Sequence, residues 1–210
     1  MDKKITAAEI AEDMLKAART FGADAADVMI RTSDSLDITQ RNGQQESLER
    51  SESSDIGLRV FVGQRQALVS SSDPDPETLK NLAEQAVAMA RATPDDPYIG
   101  LLPEYPEIDY SADLDLYDDT KPDAETLNDI ARQMEGAALA VEGITNSDGA
   151  SVQYGHGHSL YRTSNGFTAA QQSSSYAASV RVVAGKGAHM QRDYDYAHAR
   201  HFADMKDFEK

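Results

Sequence analysis

Ser179-Val180-Arg181-Val182-Val183-Ala184 leads through Gly185-Lys186-Gly187 into Ala188-His189-Met190 and then Gln191-Arg192-Asp193-Tyr194-Asp195-Tyr196. A β-branched run, a glycine-flanked turn and a returning run predict a hairpin, with Ala188-His189-Met190 as the return strand. A hairpin this close to the end of a 210-residue chain needs neighbouring strands. Its remaining neighbours are expected beyond Lys210, so the chain reads as cut in mid-protein. That expectation leaves an open edge near Val180 and Val182, ready to pair with another copy.

Working upstream, Ala150 to Tyr196 is rich in Ser, Tyr, Val and Gly, has little charge and no helical period, and reads as β with Asn165-Gly166 turning between two strands. A helix is predicted after Pro122, with Leu127, Ile130, Ala131, Met134, Ala138 and Val141 on one face and Gly143 at its end. Between Thr93 and Pro122 the periodicity stops and Pro94, Pro97, Pro103 and Pro106 recur among acidic residues, which reads as a linker or surface crossing.

The first ninety-odd residues form a second pattern. Thr6 and Glu9 have capping-box spacing, and Ile10, Met14, Ala18 and Phe21 share a helical face that ends at Gly22. Five short strands are then expected: 27–31, 36–40, 47–51, 56–62 and 66–70, with turns at Asn42-Gly43 and Gly63-Gln64. Asp75-Pro76 opens another helix, with Leu79, Leu82, Ala83, Ala86, Val87 and Ala90 as its stripe. The fold class is α+β, with helices packed on antiparallel or mixed sheets. Two sub-domains are expected, residues 1–95 and 122–210, joined by an acidic, proline-containing linker over 96–121, with the second sub-domain incomplete.

Charge narrows the function. Lys and Arg total 20 against 36 Asp and Glu, a formal net charge of -16 that repels nucleic-acid phosphates and anionic lipid alike. No direct nucleic-acid contact and no membrane contact are expected. With 0 cysteines, thiolate metal sites, disulfides and a cysteine nucleophile are excluded. The N-terminus lacks the apolar run of a signal peptide, so a cytoplasmic setting is expected.

Candidate chemistry is sparse. His156 and His158 flank Gly157 at a spacing that puts both on one strand face, suited to zinc if a third ligand arrives; without a ligand triplet the plainer reading is a polar strand face. His198 and His201 have i, i+3 spacing but lack the glutamate of a metallopeptidase helix, so solvent exposure is expected. Asp113, Asp115, Asp118 and Asp119 fail the glycine and glutamate positions of a calcium loop and read as a solvated linker. Gly185-Lys186-Gly187 is too short for a phosphate loop. Ser70-Ser71-Ser72 and Ser173-Ser174-Ser175 lack a nucleophile elbow and read as polar turns or strand edges. Arg59, within Gly57-Leu58-Arg59-Val60-Phe61-Val62, predicts a cross-strand ion pair. No catalytic, cofactor-binding or metal residue is assigned.

In order, Gly57-Leu58-Arg59-Val60, Asp113-Leu114-Asp115-Leu116-Tyr117, Ile144-Thr145-Asn146-Ser147-Asp148-Gly149, Ser164-Asn165-Gly166 and Met190 to Tyr196 resemble the N-terminal half of the TldD/PmbA family, in its PmbA (TldE) branch. The resemblance implies a cytosolic metallopeptidase assembly acting on unfolded peptides or small proteins. In it a TldD-type subunit carries a His-Glu-x-x-x-His zinc motif and a PmbA-type subunit completes the chamber. The family is also described as modulators of DNA gyrase. No His-Glu pair occurs in this chain, so zinc is expected only in a TldD-type partner and the chain alone should be inactive. The expected partners are a TldD-like subunit or a second copy, and a peptide substrate. The alternatives are a non-enzymatic acidic interaction protein and the N-terminal half of a TldD-like catalytic subunit.

Overall fold

The structure, a computed structural model, describes residues 6–105 and 114–205. Three helices, α1 (Ala7–Phe21), α2 (Pro76–Ala92) and α3 (Ala124–Leu139), accompany six strands: β1 (Ala25–Arg41), β2 (Gln44–Val62), β3 (Arg65–Ser71), β4 (Ile144–Thr163), β5 (Thr168–Ala184) and β6 (Gln191–Ala199). The strands form one sheet in the order β3-β2-β1-β4-β5-β6. The fold is α+β.

Each helix starts where local chemistry places it. Thr6 and Glu9 form a reciprocal capping box, and Gly22, at φ 99, ends α1 in the left-handed conformation. Asp75 accepts from the amides of Glu77 and Thr78 ahead of Pro76, and Asp123 accepts from that of Thr126. Helix α3 stops at Leu139, earlier than its apolar pattern suggested. Val141 is exposed, and the left-handed Gly143 serves the turn into β4.

The strands are longer and fewer than their apolar patches suggested. The two pieces predicted at 27–31 and 36–40 are one strand, as are those at 47–51 and 56–62. Polar residues such as Ser33, Asp34 and Ser54 separate the patches by pattern, yet they keep extended backbone because each strand continues alongside a paired neighbour. Asn42-Gly43, at φ 52 and 74, forms the tight turn between β1 and β2. The final hairpin is shifted. Gly187–His189 is a short 3₁₀ turn, and the return strand begins at Gln191 rather than Ala188.

By contacts the chain divides into two units that interleave in sequence. The first comprises 1–32, 53–113 and 158–171. In it α1 and α2 bury Met14, Ala18, Ala83, Ala86 and Val87 against Val28, Ile30, Ile56, Leu58 and Val60 of the strands. The second comprises 33–52, 114–157 and 172–210. There Leu127, Ile130, Ala131 and Met134 of α3 cover Ile38, Val152, Tyr154, Tyr176 and Ala178. Burying a side chain of this size stabilises by about 1.5–3 kcal/mol.

Candidate functional site

In the second unit β6 is the last strand of the sheet, and its register with β5 runs without a break from Tyr176↔Ala199 to Ala184↔Gln191. Side chains on a strand alternate faces, so Asp193, Asp195, Ala197 and Ala199 share the α3 face with Val180 and Val182. Arg192, Tyr194, Tyr196 and His198 share the other face with Arg181. Ala197 and Ala199 pack on the core, whereas Tyr194 and Tyr196 stand 67% and 70% exposed with their rings stacked at 6.4 Å.

The backbone of β6 shows which groups look outward. The Tyr194 amide donates to Asp193 Oδ1 at 2.9 Å and the Tyr196 amide to Asp195 Oδ1 at 2.8 Å. These N–H groups are therefore not spent on β5. By the alternation of an antiparallel ladder, the main-chain groups of Arg192, Tyr194, Tyr196 and His198 face the open side. Among the described residues no strand pairs there.

Hydrogen bonds tie the chain upstream and downstream of β6. Before it, Thr145 Oγ1 donates to the carbonyl of Gly185 at 2.8 Å. After it, the Ser174 hydroxyl donates to the Arg200 carbonyl at 2.6 Å, while Arg200 returns a bond to the Ser174 carbonyl at 2.8 Å. Asp118 accepts from the Phe202 amide at 2.7 Å and from both the amide and hydroxyl of Thr120. Burial alone would push the Asp118 carboxyl up, but these bonds outweigh it and hold the pKa at about 2. His201 pairs with Asp115 at 2.9 Å, and its hydrogen bond to the Asp115 backbone, joined by the charges of Asp115 and Asp118, raises the imidazole pKa.

The acidic run is thus no simple solvated linker. Asp115 and Asp118 clasp the chain after β6, while Asp113 lies outside the described residues. His201 is on no helix and is partly covered, whereas His198 is an exposed strand residue. Ser174 is 1% exposed within β5, contrary to the polar-edge reading, and its amide bonds the Leu116 carbonyl at 2.9 Å just beyond the β6 register. The spacing of the serines carried no signal for this, because the partner segment lies nearly sixty residues away.

His156 is 2% exposed and not part of a polar face. The Tyr176 hydroxyl donates to the Thr120 carbonyl at 2.5 Å, so His156 Nε2, 3.2 Å from that hydroxyl, carries the proton that bonds it. Burial lowers the His156 pKa and raises that of Tyr176. His158 is exposed and belongs to the other unit. Among the described residues no three His, Asp or Glu side chains gather as a metal site, so the residues present do not fit a zinc centre.

In the first unit Arg59 forms the ion pair its sequence predicts. It reaches Asp27 on β1 at 2.6 and 3.0 Å, with its guanidinium 5.1 Å from the Phe61 ring centre. Asp27 is 6% exposed, and its hydrogen bond raises the Arg59 pKa. Lys16 and Arg162 share Glu12 at 3.2 and 2.6 Å beside a cleft of about 510 Å³.

Fold and site together define an α+β protein with an open, end-clamped sheet edge and, among the described residues, no assembled metal set. Residues 26–90 match the model of PmbA/TldA metallopeptidase domain 1, and residues 117–210 match that of the PmbA/TldA metallopeptidase central domain. The chain belongs to the PmbA/TldD metallopeptidase family. It is 32% identical over 184 residues to the metalloprotease PmbA homolog of Haemophilus influenzae, covering 87% of this chain, and 27% identical over 185 residues to metalloprotease PmbA of Escherichia coli O157:H7, covering 88%. It spans 41% of the length of each. Solved structures share the fold. A candidate modulator of DNA gyrase from Bacteroides thetaiotaomicron superposes with TM-score 0.85 at 21% identity, over 96% of this chain and 47% of that one. TldE from Thermococcus kodakarensis does so with TM-score 0.72 at 17% identity, over 91% and 43%.

Proposed function

We propose that this chain is the substrate-holding, non-catalytic region of a PmbA/TldE-like subunit, working in the cytosol with a TldD-type partner that carries the zinc chemistry. An extended, unfolded peptide adds to the outer edge of β6, is held by main-chain hydrogen bonds, and is presented to the partner for cleavage. The observation that carries this reading is the β6 edge itself. Its outward amides lie on a strand whose following residues are tied to Ser174 and Asp118, so little backbone entropy is lost when a peptide docks. Family membership supports the peptidase setting. Zinc-dependent cleavage of an unfolded peptide by the full-length protein mixed with its TldD-type partner, absent with either alone, is the expected result. Full activity of the partner alone would overturn the proposal.

A further inference from the structure

Two buried side-chain atoms in the second unit, His156 Nδ1 and Asp34 Oδ1, lack a hydrogen-bond partner among the described residues. They belong to neighbouring strands. The Thr39 and Ser151 hydroxyls meet at 2.9 Å across β1 and β4, and a Cβ on Gly155 would stand 4.0 Å from that of Ser35, a register that sets Asp34 opposite His156 on the α3 face. The two atoms are also complementary. Nε2 carries the ring proton towards the Tyr176 hydroxyl, so Nδ1 is a bare acceptor beside an acceptor oxygen. A proton from solvent at Nδ1 would make it a donor to Asp34 Oδ1 and satisfy both groups at once.

Asp34 is already engaged through its other oxygen. Lys121 Nζ donates to Oδ2, while Arg50 Nη2 stands 3.6 Å from Oδ1, outside hydrogen-bond reach. Lys121 ends a strap, residues 114–121, that runs against β4 and β5. The Ser174 amide donates to the Leu116 carbonyl, the Asp118 amide to Ser174 Oγ and the Tyr176 hydroxyl to the Thr120 carbonyl, and the Tyr117 ring meets His156 edge-on at 5.5 Å. The Lys121 bond ties the last residue of the strap to β1.

We infer that His156 and Asp34 form a proton-operated catch on this strap: a proton taken up at Nδ1 draws Asp34 to His156, weakens the hold of Lys121 and loosens the 118–121 end. One carboxylate then faces three cations, His156, Lys121 and Arg50, and their mutual repulsion falls on Lys121, whose charge acts on the ring more strongly than that of any other residue. The catch is independent of the peptide-docking reading.

The groups that bear on the ring are Asp34 on β1, Tyr154 on β4, Tyr176 on β5 and Tyr117, Asp118 and Lys121 on the strap, with Arg50 of β2 behind Asp34 and His201 beyond Asp118. Burial and the charge of Lys121 hold the imidazole below its ordinary value, against the opposite pull of Asp34 and Asp118. The contribution of the neutral ring is whole above the ordinary imidazole value and is lost as pH falls through the folded one. His201 acts in the other sense at the Asp115 end. Its pKa is raised by the hydrogen bond to the Asp115 backbone, so it charges and tightens the strap before His156 takes up a proton. The strap is held most tightly between the two titrations.

Nitrogen NMR of protein isotopically labelled at histidine tests the catch. Neutral His156 is expected as the Nε2–H tautomer, titrating below the ordinary imidazole value, with its pKa raised by Lys121→Met and lowered by Asp34→Asn. Hydrogen exchange at the Asp118 and Ser174 amides reads the strap in a His201→Gln background, which removes the opposing titration. Protection, corrected for intrinsic rates, should fall about fivefold from about pH 7 to about pH 4.5, the loss of one partly exposed ion pair. That response should vanish in His156→Gln, whose amide nitrogen keeps a donor for Tyr176, and in Lys121→Met, which has no Asp34 bond to lose. An Nδ1–H tautomer, a His156 pKa indifferent to Lys121→Met, or a strap response that persists in His156→Gln would overturn the catch. Lys121→Met, at a half-exposed residue, carries the same test if His156→Gln fails to fold, and persistence of the response there overturns the catch as well.

Discussion

Glu135 offers the sharpest test of how the second unit is held together. It lies on α3 at 1% exposure, and its two carboxylate oxygens accept the amides of Asn42 and Gly43, each at 2.8 Å. A buried carboxylate survives only when its oxygens are satisfied, and here both partners are the amides of one tight turn. Glu135→Gln keeps one acceptor but turns an NH₂ toward the second amide. Charge-assisted hydrogen bonds contribute roughly 1.5–3 kcal/mol each, and water at the exposed turn recovers part of that. The glutamine variant should therefore lose about 1.5–3 kcal/mol and Glu135→Ala about 2–4 kcal/mol, through the same bonds plus lost packing. In a chain of this size that corresponds to a melting shift of roughly 3–16 °C. Thermal melts followed by circular dichroism at pH 7 would measure it, with Glu142→Gln, on an exposed residue, as the control. A glutamine variant within about 0.5 kcal/mol of wild type would refute the claim that this carboxylate fixes the β1–β2 turn to α3.

The clasp after β6 should respond to pH in two directions. The depressed Asp118 pKa of about 2 gives stability that is present above the ordinary carboxylate value and lost as pH falls towards 2, so the deficit of Asp118→Asn relative to wild type should vanish at low pH. The raised His201 pKa gives stability present below the ordinary imidazole value and lost as pH rises through the folded value, so His201→Gln should be deficient at pH 5.5 and near wild type at pH 8; pH-dependent urea melts check both. A double-mutant cycle of Asp27→Asn and Arg59→Met should give a coupling near 1 kcal/mol, larger than an exposed pair because Asp27 is 6% exposed. Duplex DNA should not bind at roughly 50 or 200 mM salt by anisotropy, because the charge of -16 opposes phosphate contact; submicromolar affinity with a steep salt slope would contradict that.

Much of the fold was legible because local chemistry decided it. The Thr6, Asp75 and Asp123 caps, the Asn42-Gly43 and Asn165-Gly166 turns and the apolar stripes of all three helices each act within a few residues. Strand length was not legible. A polar stretch such as Ser33 to Ser35 keeps extended backbone through pairing with residues far away in sequence, and no local pattern reports that. Gly149, at φ 110 with its amide on Ser147 Oγ, is a left-handed residue inside β4 through which the strand continues. The Arg59 pair was readable because a cation amid Leu58, Val60 and Phe61 needs a partner. The roles of Asp118, Ser174, His156 and His201 were not, since each depends on a segment brought alongside only by the tertiary fold.

Residue-resolved hydrogen exchange on the β6 amides, with and without an extended eight-residue peptide of alternating lysine and valine, tests the central claim most directly. The account predicts that the amides of Arg192, Tyr194, Tyr196 and His198 exchange more slowly when peptide is bound, while those of Asp193 and Asp195, already turned towards β5, change little. Unchanged exchange at Tyr194 and Tyr196 under saturating peptide would show that polypeptide does not dock on this edge.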